Sequence, residues 1–476
     1  MGGKAQGSPT KEFFVEMLTR DIELNDAILD LLDNCLDGVV RQVSNKAKTS
    51  NCYEGFFSHI CIKKDSFVIE DNCGGIPRDV AEKYAFRMGR SSAKEDEELP
   101  TVGIYGIGMK RAIFKIGKSA TVLTRNNNAL YEVRIPENWV NDEDEWDFPM
   151  EDVEDNNMLV NGGTKIDISD IYSGIAEVWK NEDKLDKFVN ELIKSIQQSY
   201  SFIIQKGFQI EINGQCVEPL PIELLLDDVG SNSRNSIKPY LYQQQFDDVY
   251  VKLAIGFYAP PPSPEDIDDE NELRRSSSDA GWTIVCNDRV VLYNDKTHLT
   301  GWGEAGVPHY HTQFIGIRGI VVFESNNPKD LPMTTTKRGI DTSSNIYAAV
   351  KEKMRRGLKM FTDYTNWWKG RNDSEREYSN AAKSVSVDKL LDSTAMVENL
   401  TSIKFRKQQG GFTFTPKLPK PDNTKPYRRI SFSRSIEEIR DIMEYVYNDR
   451  EHNATPSQVG EKCFDLVLEK AHKEGE

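Results

Sequence analysis

Apolar positions recur every three or four residues over 11–45. Phe13, Phe14, Met17 and Leu18 form one stripe, and Ile28, Leu31, Leu32, Cys35 and Leu36 form a second, so the spacing predicts helix. Over residues 59–70 the pattern shortens to two strands around a Lys-Asp turn. A helix is predicted to open at Gly108 and run to Ile116, ahead of a strand pair at 119–125 and 129–135 joined across Asn126-Asn127-Asn128. Residues 163–168 read as the strand that closes a first unit. Leu185, Phe188, Val189, Leu192 and Ile196 then line one helix face. Residues 208–217 read as a hairpin turning at Asn213-Gly214. Residues 249–258, 282–293 and 314–324 read as strands, and 345–369, 435–449 and 455–473 as helices.

This mixture predicts an α/β (α+β) chain, and 476 residues exceed one compact core. Four parts are expected: residues 1–174, 175–369, a polar to basic linker over 370–434, and a helical segment over 435–476, with the C-terminal region mostly helical. A Pro-, Ser- and acid-rich loop is expected over 259–280.

Composition narrows the class. No run of 18 apolar residues occurs, so no membrane-spanning helix is expected. The N-terminal residues show no apolar targeting segment, and seven cysteines without CxxC spacing read as free thiols, so a cytoplasmic location is expected. The formal net charge of −16 argues against a surface that binds nucleic acid everywhere. Charge is uneven, however. Residues 142–155 carry nine acids and no base, and read as a solvated loop. Residues 404–434 carry nine Lys/Arg against Asp422, with Phe405, Phe412, Phe414 and Tyr427 interleaved. That stretch has the charge for phosphate contact and the rings for base stacking, so DNA is a possible partner.

Three short motifs carry candidate chemistry. Asp30 and Asn34 are four apart and share a helix face. The acid can orient and deprotonate a water for attack on a phosphate, and the amide oxygen can join the ligands of Mg²⁺. Asp33 and Asp37 are expected to fall off that line. A surface acid and an ordinary helix polar residue is the competing reading. Asp71 then ends a strand ahead of Gly74, Gly75 and Pro77. Its carboxylate can accept an adenine amino proton while the glycines allow close approach, although such a segment also makes a plain turn. Gly103, Gly106 and Gly108 lead into Met109, Lys110 and Arg111, where a helix would aim free N–H groups at an anion. The GxxGxG spacing fits neither a P-loop nor a dinucleotide fingerprint. Residues 87–100 read as a lid. His309, Tyr310 and His311, near Trp302, are expected to have a structural or interface role, with no acid or thiol close by in sequence to complete a metal site.

The ordered set resembles the GHKL superfamily of ATPases, which includes gyrase, mismatch-repair, heat-shock chaperone, histidine-kinase and microrchidia (MORC) proteins. The resemblance covers roughly residues 10–345 and is nearest to MORC-type ATPases in Ala27–Asn34 and Tyr105–Lys110. It implies a Bergerat-type α/β sandwich followed by a transducer-like α/β domain. It also implies roles: Asp30 as general base, Asn34 on magnesium, Asp71 with Gly75 at adenine, Gly103, Gly106, Gly108, Met109 and Lys110 at the phosphates, and Thr164 supporting Asp71. Lys337 is the implied γ-phosphate lysine, with Arg338 as fallback. The cofactors implied are ATP and Mg²⁺, and the partner implied is a second copy of the chain. Two positions depart from the family pattern. Asp30 replaces the usual Glu and reaches roughly 1.5 Å less, where base geometry tolerates little misplacement. Cys73 replaces a usual Gly and is strained if that position needs positive φ.

The expected function is therefore a slow ATPase acting as an ATP-gated clamp or switch, with DNA as its candidate partner. The alternative is an ATP-sensing interaction or chaperone-like module with little turnover. A histidine kinase is disfavoured, because no histidine precedes His59 to serve as phosphoacceptor.

Overall fold

The structure is a computed structural model. It describes residues 10–43, 51–87, 107–127, 129–142, 144–154, 159–227, 236–262, 279–334, 336–391, 406–408, 411–421, 430 and 432–474. Gly103, Gly106 and nearly all of the expected lid lie outside the described residues, as does most of the 259–280 loop.

Helix α1 (Lys11–Thr19) starts where the Thr10 hydroxyl accepts the Phe13 N–H at 3.2 Å, and α2 (Leu24–Val43) follows. The strands β1 (Phe57–Ile62), β2 (Phe67–Asp71), β3 (Gly117–Asn126), β4 (Ala129–Ile135), β5 (Met150–Asp152), β6 (Thr164–Ile171), β7 (Gln209–Ile212) and β8 (Gln215–Cys216) form one sheet. Its order is β5-β4-β3-β6-β2-β1-β7-β8. All pairings are antiparallel except β1 with β7. Helix α3 (Gly108–Ile116), α4 (Ser173–Trp179) and α5 (Glu182–Gln205) complete this unit. Ile28, Leu31, Leu32 and Val39 of α2 share a single core with Ile113 and Ile116 of α3, Leu192 and Ile196 of α5 and the inward strand residues. This is the expected mixed α/β architecture.

The sheet does not stop at residue 174. Helix α5 buries Val189, Leu192, Ile193 and Ile196 in the first core, and β7 joins β1. The hairpin turns at Asn213 and Gly214, with φ of 50° and 83°, as the Asn-Gly pair requires. An expected boundary at 174 therefore cuts through one hydrophobic core. Residues 142–155 also differ from a plain solvated loop: Trp146 and Phe148 pack on Trp139 with ring centroids 5.7 and 5.1 Å apart, and β5 pairs with β4. Two aromatic rings within an acidic run outweigh its charge.

The second unit is a seven-stranded sheet built from β10 (Tyr240–Phe246), β11 (Val249–Phe257), β12 (Gly281–Cys286), β13 (Arg289–Asp295), β14 (Ile317–Ser325), β16 (Arg406–Gln408) and β17 (Gly411–Phe414). Its order is β13-β12-β14-β11-β10-β17-β16. A two-stranded pair joins β9 (Glu223–Leu226) to β15 (Lys383–Ser386). Helix α6 (Asn345–Trp368) lays Tyr347, Val350, Met354, Leu358 and Phe361 on the larger sheet's core. Residues 282–293, read as one strand, are a hairpin. Asn287 and Asp288 turn it with φ of 46° and 67°, a conformation these two residue types tolerate.

Beyond α6 come α7 (Asn372–Ala381), α8 (Val387–Leu391), α9 (Ile436–Tyr447) and α10 (Pro456–Glu474). The expected basic linker is partly sheet. Strand β17 pairs with β10, Phe414 and Leu418 are buried, and Trp368 Nε1 donates to the Pro419 carbonyl at 3.2 Å. Alternating Phe412 and Phe414 supply the packing that its charge hides. No helix among the described residues is long and apolar enough to cross a membrane.

Candidate functional site

Helix α2 carries four aspartates, Asp26, Asp30, Asp33 and Asp37, at spacings of four, three and four. That is one stripe of a helix. Asp33 and Asp37 thus belong with Asp30, contrary to the expectation that they fall aside, and all three are buried. A carboxylate out of water needs charged or hydrogen-bonded partners. The second unit supplies most of them.

Asp30 is clasped by two guanidiniums. Arg111, in the first turns of α3, bonds Oδ2 through Nε at 3.1 Å and through Nη2. Arg338, from a loop of the second unit, bonds Oδ1 at 2.9 Å through Nη2 and pairs with Asp26 at 3.0 Å through Nε. Both oxygens of the expected general base are engaged. Asn34 lies one turn on, and its amide nitrogen is buried with no hydrogen-bond partner. Since amide N and O exchange by a flip, the group is free to turn its oxygen toward a cation. Its fit to a Mg²⁺ ligand rests on that orphaned amide.

Gly108 packs on Asp30, its added Cβ falling 3.6 Å from the Asp30 Cβ, so α3 opens directly beside the acid. Met109 is partly buried on the core. Lys110 is turned inward: its side chain is buried and its ammonium donates to the Ala85 carbonyl at 2.8 Å. Arg111, not Lys110, is the cation this helix brings to Asp30.

Asp71 ends β2 at the other end of the same face. Its Oδ1 accepts the Cys73 N–H at 2.7 Å and its Oδ2 accepts the Cys35 thiol at 3.4 Å. Burial pushes Asp71 up to about 6, against these two donors, which pull it down. Thr164 pairs in register with Asp71 across β2 and β6, and its hydroxyl lies 3.3 Å from that of Thr124. Thr164 and Asp71 are thus neighbours across the sheet, with the Thr164 hydroxyl turned to Thr124. The bend itself falls on Gly74 and Gly75, with φ of 117° and 66°, and Cys73 is spared positive φ. A Cβ on Gly75 would sit 2.1 Å from the Arg125 carbonyl oxygen. Gly38 on α2 is equally bound to be glycine, because its Cβ would meet the Cys73 carbonyl oxygen at 2.2 Å. A glycine inside a strong helical pattern was the signal for this contact.

Asp33 anchors a second, deeper cluster. Arg289, just past the β12–β13 turn, bonds its Oδ1 through Nε at 3.0 Å, and the Tyr200 hydroxyl donates to the same oxygen at 2.9 Å. Lys337 lies 3.5 Å from Oδ2. The Arg289 guanidinium stacks over the Tyr200 ring at 4.2 Å. Burial pushes Asp33 up, but the charges of Arg289 and Lys337 and the hydrogen bonds of Tyr200 and Arg289 outweigh it and bring it down to about 2. The neighbouring Asp288 is held by Lys206 at 2.6 Å and by the Tyr53 hydroxyl at 2.9 Å. One hairpin tip is thus plugged into the first unit.

Arg289, Tyr200 and Gly38 were not singled out in the sequence. Tyr200 and Arg289 lie over 160 and 250 residues from Asp33 along the chain, and only the stripe of aspartates hinted that such partners were needed. Trp302 and Tyr310 make an edge contact at 5.3 Å, in keeping with a packing role for that segment.

An acid and amide on one helix, a buried acid at a glycine bend and a helix N-terminus are gathered on a mixed α/β fold. Residues 22–161 match the family described as Histidine kinase-, DNA gyrase B-, and HSP90-like ATPase, so this chain carries a GHKL-type ATPase domain. The match spans Asp30, Asn34, Asp71 and Gly108, and ends before Thr164 and the second unit. No curated protein matches the chain.

Proposed function

We propose that the protein binds ATP with Mg²⁺ in front of α2 and uses slow hydrolysis to switch the contact between its two units. The observation that carries this is Arg338 of the second unit on Asp30 of the first, 2.9 Å away. A terminal phosphate arriving there changes what Arg338 touches, so ATP and the interunit loop act on one carboxylate. Asn34 would hold Mg²⁺, which supplies charge neutralisation to the phosphates when bound. Asp71, with Gly75 and Thr164, would read the adenine. Gly103, Gly106, Gly108 and Met109 would surround the phosphates. Asp30 would take a proton from the attacking water once its arginines let go.

Slow turnover follows from Asp30 itself: it is short, and both oxygens are occupied. The same observation favours the second reading, an ATP-sensing module with little turnover. Steady-state hydrolysis of the wild type against Asp30→Asn separates them. A loss of about 10²-fold or more supports general-base action, and equal rates remove Asp30 from the chemistry. ATP-dependent pairing of two chains belongs to this reading, as does MORC-type kinship, which rests on residues 27–34 and 105–110. Among the described residues of 404–434, Lys417 and Lys420 are exposed for DNA contact, whereas Phe414 is buried and unable to stack on bases. Absence of any binding at low salt ends the DNA idea.

A further inference from the structure

Residues 77–87 form a strap that joins the two ends of the site. At one end the glycine bend is fixed. The Ile76 N–H donates to the Thr124 hydroxyl at 2.8 Å, and the Tyr131 hydroxyl donates to the Ile76 carbonyl at 2.7 Å. At the other end the Lys110 ammonium holds the Ala85 carbonyl, just beyond Gly108 and its contact with Asp30. We propose that Phe148, in the acidic run after β4, is a positioning residue for this site: it sets the shape of the strap by packing against Phe86. This rests on the reading of the site as one for ATP.

Three observations carry the proposal. The first is that the strap has little structure of its own. It is a single helical turn, Arg78–Val80, followed by a five-residue π turn, Ala81–Ala85. Such turns are rare and occur mostly as single turns at functional sites. Of the strap's side chains, only Ala81 and Phe86 are buried, so Phe86 is its one large anchor.

The second is what Phe86 meets. Its ring stands edge-on to that of Phe148, with centroids 6.3 Å apart and planes at 73°, a favourable arrangement for two aromatic rings. The strap is also tied to β5 by the Arg78–Asp152 pair, whose side chains are 40% and 73% exposed. Water and salt screen a pair so placed, and it contributes little. The ring contact is the one that can hold a shape.

The third is that Phe148 is itself held from elsewhere. The Trp139 ring lies 5.1 Å away, the Arg134 N–H donates to the Pro149 carbonyl at 3.0 Å, and β5 pairs with β4. None of these contacts involves the strap. A ring fixed to the sheet thus backs a segment that cannot brace itself. Without that ring the strap samples other shapes, and apparent affinity falls by the fraction of time spent in the competent one.

The experiment joins two measurements on the full chain. One is titration calorimetry with Mg²⁺, using a non-hydrolysable ATP analogue and ADP in parallel. The other is hydrogen exchange without nucleotide. Phe148→Ala is expected to lower both affinities by about tenfold and by the same factor, because the strap serves either nucleotide. Exchange at amides 81–87 is expected to quicken in the same variant. Phe148→Leu keeps an apolar side chain and tests the site if the alanine variant misfolds; it is expected to lose part of the affinity. Trp146→Ala is the control, since that ring packs on Trp139 and Phe14. It is expected to lower the melting temperature while leaving both affinities within about twofold. Affinities that fall as far in Trp146→Ala as in Phe148→Ala overturn the proposal, because lost stability then accounts for both. Unchanged affinities in Phe148→Ala overturn it too, as does unchanged exchange at 81–87. A wild type that binds neither nucleotide overturns the ATP site itself, a different failure, and the exchange result still decides whether Phe148 holds the strap.

Discussion

Asp71 and Asp33 are both buried carboxylates of one sandwich, and they are held in opposite ways. Asp71 has a backbone N–H and a thiol as donors, no cation close by among its described partners, and is pushed up to about 6. Asp33 has an arginine, a lysine and a tyrosine, and is brought down to about 2. The contrast teaches how burial separates an acid with spare acceptor capacity from a structural one. An acid with weak donors keeps capacity for an incoming amino group, as the proposed adenine role of Asp71 requires. An acid saturated by cations has spent that capacity on joining two units.

The harshest way to break the comparison is Arg289→Met. It leaves Asp33 buried without its hydrogen-bonded guanidinium and is expected to cost about 3–5 kcal/mol in urea unfolding. Adding Asp33→Leu should return most of that loss, since an apolar pair replaces a buried ion pair nearly neutrally. A loss below about 1 kcal/mol would show that this cluster is not a structural anchor.

Asp71→Asn should behave in the reverse sense. Stability should hold or rise, because a neutral amide removes a desolvated charge, while adenine nucleotide affinity should fall by about 10²-fold in calorimetry. Unchanged affinity would remove Asp71 from the base pocket.

The two acids should also separate by pH. Asp71 has a native value of about 6 against 3.8 ordinarily, so the native state holds the extra proton between those values. Its contribution to stability is fully present at low pH and declines as pH rises from 3.8 through about 6. Nucleotide binding needs the carboxylate form, so affinity should weaken as pH falls below about 6. Asp33 is lowered to about 2, so its stabilisation is present above 3.8 and is lost as pH falls from there toward 2. Denaturation curves of Asp71→Asn and Asp33→Asn against wild type would resolve both windows.

The smallest effect expected is from Cys35→Ser. A hydroxyl donates more strongly than a thiol to the Asp71 Oδ2, so the midpoint of the pH dependence of nucleotide binding should move down by a few tenths of a unit, about 0.5 kcal/mol. A shift upward would show that the thiol is not a donor there.

Much of the fold was legible because its signals are local. Helical spacing placed α2, α5 and α6, and the Asn213-Gly214 pair placed a hairpin, since a turn with positive φ at two residues permits few alternatives. Strands β5, β9, β10, β15, β16 and β17 were not read, and β13 was merged with β12. Their alternation is interrupted by polar residues such as Gln243, Gln244 and Gln245, and their stability comes from partners far along the chain. The acid, amide and glycine positions were legible as a candidate set because spacing on one helix and a glycine bend are properties of short segments.

By itself, then, the sequence determined which residues are the candidates for a nucleotide site: Asp30 and Asn34 by their four-residue spacing, Asp71 by its place ahead of Gly74 and Gly75, and Gly108 by opening a helix. Only the tertiary structure decided where the cations went. Lys110 turned into the core, Arg111 and Arg338 met on Asp30, and Lys337 and Arg289 closed on Asp33. A lysine or arginine reaches several ångströms in any direction from its Cα. Its destination is set by which buried acid must be neutralised, and that is a property of the assembled core rather than of the segment that carries it.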